Sequence, residues 1–122
     1  MNYESTVLVE SRVVPGVTFA VARMSFGRRM ELMRRVREMA RQMEFLEAGK
    51  QPGDRMDAAV LQAEIDRLFV TWGLRVVSGL RLDGFEATPE SLVDSGPEDL
   101  FREALAAVRA ETGLTGEQRK NS

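Results

Sequence analysis

Histidine and cysteine are both absent from this 122-residue chain. Their absence removes the usual zinc ligands, the side chain that titrates near neutral pH and the strongest protein nucleophile, which argues against metal, thiol and triad enzymes. Aromatic residues are scarce, with one Trp, one Tyr and six Phe, and no interleaved aromatic set for stacking bases accompanies the basic residues. No long uncharged apolar run and no apolar N-terminal stretch occur, which argues against membrane spanning and secretion and leads us to expect a cytoplasmic protein. G-x-G-x-x-G and a glycine-rich stretch followed by Lys-Ser/Thr are also missing, so no phosphate loop is indicated.

What is present fits one domain. A chain of this length buries roughly two-thirds of the surface that it exposes when unfolded, enough for a core without disulfides or metals. The formal net charge is −2, unevenly placed: residues 1–50 hold nine Arg/Lys and six Glu, whereas residues 51–122 hold eight Arg/Lys and thirteen Asp/Glu. Both signs are interleaved, as on solvated helix faces.

Ser5 to Val14 and Val17 to Met24 are β-branched and partly alternating, and Pro15-Gly16 between them signals a turn. These residues predict a β-hairpin over about 5–24, with Val17, Phe19 and Val21 on one side of the pleat. Ser25 is placed to cap a long helix over Phe26 to Ala48, ended by Gly49 and Pro52-Gly53. Met33, Val36, Ala40, Met43 and Leu46 form its apolar stripe, widened by Met30 and Met39. A second helix is expected from about Arg55 to about Val77, with Met56, Val60, Leu61, Ile65, Leu68, Phe69, Trp72 and Val76 as its apolar side; the short connection predicts an antiparallel pair. Asp83-Gly84 reads as a turn, Thr88-Pro89-Glu90-Ser91 as a capped short helix to Asp94, and Gly96-Pro97 as the opening of a last helix stopped by Gly113. The expected fold is therefore α+β, a hairpin packed on a mainly helical body over about 25–113, followed by a polar tail at 114–122.

No catalytic, cofactor or metal residue stands out. Carboxylate pairs such as Asp83 with Glu86, or Glu98 with Asp99, read as turn and cap residues, because acid/base or cation sites need carboxylates converging across the fold. Trp72 reads as a core anchor. The series Arg28, Arg29, Arg34, Arg35, Arg37 and Arg41 is the only feature pointing toward DNA, but four glutamates share its segment. The methionines Met30, Met33, Met39 and Met43 are candidates for partner binding, since the flexible thioether adapts to varied apolar helices; core packing is the competing use.

Six stretches together resemble the small tail assembly chaperones of long-tailed bacteriophages and prophages: P-G-V-T-F-A-V, S-F-G-R-R-M-E-L, W-G-L-R-V-V-S-G-L-R-L-D-G, A-T-P-E-S-L, G-P-E-D-L-F-R-E and G-L-T-G-E-Q-R-K-N-S. The resemblance spans most of the chain, in order as much as in words, and none of its motifs carries a chemical identity as specific as a zinc or phosphate-loop sequence. It implies a non-enzymatic protein in the host cell that binds the tape-measure protein, assists assembly of tail-tube subunits around it and is absent from the finished virion. Some members of that family also have a longer, frameshifted form. Two other readings stay open on the sequence: a structural tail completion or connector protein, and a DNA-binding regulator using the Arg28 to Arg41 face.

Overall fold

The computed structural model describes residues 1–113, in an α+β arrangement of five strands and four helices. The polar tail expected at 114–122 lies outside the described residues. Two compact units divide the chain: one made of residues 1–24 with the segment from Val70 onward, the other of residues 25–69.

The first unit is built on a three-stranded antiparallel sheet in the order β1 (Thr6–Glu10), β2 (Thr18–Ala22), β3 (Leu74–Ser78). The expected hairpin is β1–β2, registered Val7 to Val21 and Val9 to Phe19. As the central strand, β2 is buried on both faces. Phe19 and Val21 are inaccessible, and Ala20 and Ala22, on the other side of the pleat, are buried as well.

The third strand corrects the sequence reading, which continued the second helix to Val77. The helix stops at Gly73, and Leu74–Ser78 pairs with β2, Phe19 opposite Val77 and Thr18 opposite Ser78. The helical reading rested on Trp72 and Val76, which fit a helical period, although L-R-V-V-S is a short run that also suits a strand. Tertiary context decides. A central strand needs a ladder partner on each side, and a Cβ at Gly73 would collide with the side chain of Val108, so the chain crosses the last helix where only a hydrogen fits.

Beyond β3, the chain turns at Gly79, whose φ of +81° and contact with the Gly16 carbonyl oxygen both require glycine. A two-residue hairpin follows, β4 (Arg81–Leu82) and β5 (Phe85–Glu86), joined by Asp83 and Gly84 with φ of +52° and +85°. Positive φ at both central positions is the turn that Asp-Gly favours. Helix α3 (Pro89–Ser95) opens with a reciprocal cap: Thr88 Oγ1 accepts from Ser91 N at 3.1 Å, and Thr88 N donates to Ser91 Oγ at 2.8 Å. Helix α4 (Glu98–Thr112) has Glu98 and Asp99 in its first turn and left-handed Gly113 at its end, as the sequence predicted. Its stripe of Leu100, Ala104, Leu105 and Val108 is buried, and the helix lies against β2.

One polar clamp ties α4 to the turn of the first hairpin. Ser11 Oγ accepts from Val13 N and Val14 N at 3.1 and 3.0 Å and donates to Glu103 Oε1, while Arg12 N donates to Glu103 Oε2 at 2.7 Å. Burial alone would raise the Glu103 carboxyl pKa. The Ser11 hydroxyl, the Arg12 and Val13 backbone and the Arg12 charge outweigh it and hold the group below its ordinary value.

The second unit carries helix α1 (Phe26–Glu47) and most of α2 (Asp54–Gly73). Ser25 caps α1 as expected, its Oγ accepting from Arg28 N at 3.2 Å. In the connection, Asp54 Oδ2 accepts from Gln51 N at 3.1 Å and begins α2 with a carboxylate in its first turn.

Candidate partner-binding surface

Helix α1 buries little. Only Leu32 and Val36 of its 22 residues are shielded from solvent. Unbranched, charged residues with good intrinsic propensity sustain the helix along its length, with Glu31 accepting from Arg34 at 2.7 Å and from Arg35 at 3.4 Å. Exposed ion pairs of this kind contribute at most about 1 kcal/mol and exchange easily.

The four methionines named from the sequence do not share one patch. On a projection of roughly 100° per residue, Met39 and Met43 fall on the side of Leu32 and Val36, Met33 at its border and Met30 beyond it. Accordingly Met33, Met39 and Met43 are half-buried, and Met30 is 48% exposed. Met43 lines a shallow groove of about 400 Å³ with Glu47 of α1 and Arg55, Ala58, Ala59 and Gln62 of α2. A second open hollow of about 400 Å³ is lined by Arg41, Gln42, Phe45 and Leu46.

The large apolar side chains that α1 turns to solvent include two that the methionine pattern missed. Phe26 is 73% and Phe45 80% exposed, and Met56 and Val60 on α2 are exposed one turn apart. Helical spacing from Met30 carried the signal: Phe26 is four residues before it, and Phe45 lies well off the Leu32 side. Phenylalanine is ordinarily an interior residue, so its exposure at both ends of one helix is more informative than a lone exposed leucine.

The other residues weighed from the sequence are accounted for locally. Arg28, Arg29, Arg34, Arg35, Arg37 and Arg41 are all exposed on α1, on more than one side of it. Glu98 and Asp99 sit in the first turn of α4, Asp83 makes the β4–β5 turn, and Glu86 faces Arg81 across that hairpin at 3.8 Å. Trp72 is half-buried in the last turn of α2. Asp66 is buried on α2 and accepts from Gln62 Nε2 at 3.0 Å. Among the described residues, no three His, Cys, Asp or Glu side chains are grouped to hold a metal ion, and no helix is long and apolar enough to cross a membrane.

Comparison of the chain with protein-family models, with characterised proteins and with solved structures finds no match.

Proposed function

We propose that this protein is a non-enzymatic binding protein that shields apolar helical surface on another chain, and that it acts as a tail assembly chaperone of a long-tailed phage or prophage. Its partners in this reading are the tape-measure protein and, at hand-over, the tail-tube protein. It works in the host cytoplasm and does not remain in the mature virion. The observation that carries the reading is the helical unit itself, which leaves Phe26, Met30, Phe45, Met56 and Val60 in solvent. A long tape-measure helix has the converse difficulty, since its apolar stripes aggregate until tube subunits cover them, and a helix-on-helix contact covers both surfaces at once. Of the half-buried methionines, Met33 adjoins Phe26 and Met30 and supplies a side chain that repacks around inexact, repeated sequences, whereas Met39 and Met43 lie on the Leu32 side.

Co-expression tests it. A tape-measure polypeptide co-expressed with this chain is expected to become soluble and to co-purify with it, while purified particles contain the tape measure without this protein. Unchanged insolubility of that polypeptide, or turnover of a substrate by the purified protein, would refute the proposal. Retention in particles would assign it instead to the structural components of the tail.

A further inference from the structure

Along the outer side of α1, Phe26, Met30, Arg34, Arg37, Arg41 and Phe45 succeed one another at intervals of 4, 4, 3, 4 and 4 residues. Such intervals place all six within a sector of about 100°, and all six are exposed. The row is apolar at its N-terminal end, cationic in the middle and apolar again at Phe45, where Arg41 and Phe45 line the open hollow near the end of the helix. From Phe26 to Phe45 the distance along the axis is about 28 Å. On the same projection Glu44 falls at one edge of the sector, in line with Phe26, and Glu38 and Glu31 lie about 20° and about 40° beyond the other edge, so the sector itself holds three Arg and one Glu. Glu31 engages Arg34 and Arg35 through exposed pairs that another carboxylate can replace.

We infer that this row docks a helix of complementary pattern, about five turns long, with apolar residues toward its two ends and Asp or Glu between them. The inference rests on the reading above for the identity of the partner, and adds the chemistry of the segment that is bound.

Charge selects that occupant. A second copy docked antiparallel by the same row would set Phe26 against Phe45 but Arg34 against Arg37, bringing the guanidinium groups of two chains together. The other exposed apolar pair of the helical unit, Met56 and Val60, covers a single turn and is too short to match the row. A lipid surface suits it poorly, because helices that lie in the headgroup region carry their cations on the face opposite the apolar one, whereas here the arginines are in line with the phenylalanines. An acidic helix satisfies both parts. Its carboxylates meet planar guanidinium forks that favour bidentate pairing, and its apolar ends cover the two phenylalanines.

The full chain is to be titrated, by fluorescence anisotropy, with a labelled synthetic helical peptide of about 20 residues that has Leu opposite the two apolar ends and Glu opposite the arginines. A second peptide carries Lys in place of those Glu residues. The Glu peptide is expected to bind, and to bind at least about tenfold more weakly at roughly 0.5 M salt, where the screening length falls to a few ångströms. Arg34→Gln/Arg37→Gln/Arg41→Gln and Phe26→Ala/Phe45→Ala are each expected to weaken it at least about tenfold with unchanged circular dichroism, since every substituted side chain is exposed. Equal binding of the Lys peptide, indifference of either variant, binding to phosphatidylglycerol vesicles in place of the peptide, or a dimer that Phe26→Ala/Phe45→Ala dissolves would each overturn the inference. If the Glu peptide binds but the tape-measure polypeptide does not co-purify, the functional reading fails and the docking chemistry stands. Co-purification that survives the arginine variant gives the reverse.

Discussion

Strand β2 and helix α4 of the sheet unit and helix α1 of the helical unit distribute their apolar residues differently. In the sheet unit, strand β2 hides four consecutive residues from Phe19 to Ala22, and α4 buries the whole of its Leu100-to-Val108 stripe. In the helical unit, α1 spans 22 residues and buries two of them, while Phe26 and Phe45 stand in water. The first arrangement is how a small domain achieves stability. The second does little for the folded state on its own. The contrast teaches that hydrophobic content is not by itself a measure of core: Phe19 and Phe45 are the same side chain, one fully enclosed and the other 80% exposed.

The contrast is broken most severely by Phe19→Ala. Phe19 is fully buried on the central strand between β1 and β3, so its truncation is expected to cost about 3–5 kcal/mol, a large part of the stability of a domain this size and directly visible in the urea midpoint.

A smaller effect belongs to the clamp. Glu103→Gln is expected to cost about 1 kcal/mol by replacing a charged acceptor of the Ser11 hydroxyl and the Arg12 amide with a neutral one. The pH dependence has a definite sign. Because the Glu103 pKa is lower in the folded protein than its ordinary 4.5, its contribution is complete above that value and disappears as pH falls through the folded one. The difference between wild type and variant, followed by denaturation from pH 6 downward, should therefore narrow in the acid range.

The smallest effect on stability sharpens the comparison. Phe45→Ala removes as large a side chain as Phe19→Ala, yet from an exposed site, and is expected to move unfolding by no more than about 0.5 kcal/mol. Reduced binding of a hydrophobic dye at an unchanged urea midpoint is the outcome that separates a presenting surface from a core.

The parts of the fold legible in the sequence were those encoded locally. Ser25, Asp83-Gly84, Thr88-Pro89 and Gly96-Pro97 each carry their own backbone instruction, and the element boundaries beside them are where those residues placed them. Pro15-Gly16 marked the turn of the hairpin, but the first strand ends at Glu10, short of the Val14 expected, because Ser11 gathers the Val13 and Val14 amides into the turn. The third strand was not legible, because Leu74–Ser78 is held by a pairing with β2 across the entire helical segment and by the close approach of Gly73 to Val108, neither of which leaves a local mark. The surface was half legible. Methionine composition pointed to α1 but merged two sides of it, since Met39 and Met43 fall with the buried Leu32, a residue the apolar stripe had left out, while Met30 belongs with Phe26 and Phe45.

The pairing of β2 with β3 has a consequence for how freely the helical unit can vary. The register sets Val21 opposite Leu74, so the chain leaves the sheet after β2 and re-enters it at an adjacent point. Everything between is an excursion whose two ends the sheet already holds together, and closure entropy depends only weakly on the length of such a loop. Residues 25–69 can therefore gain, lose or exchange helical turns at little closure cost while the strand ladder keeps its register.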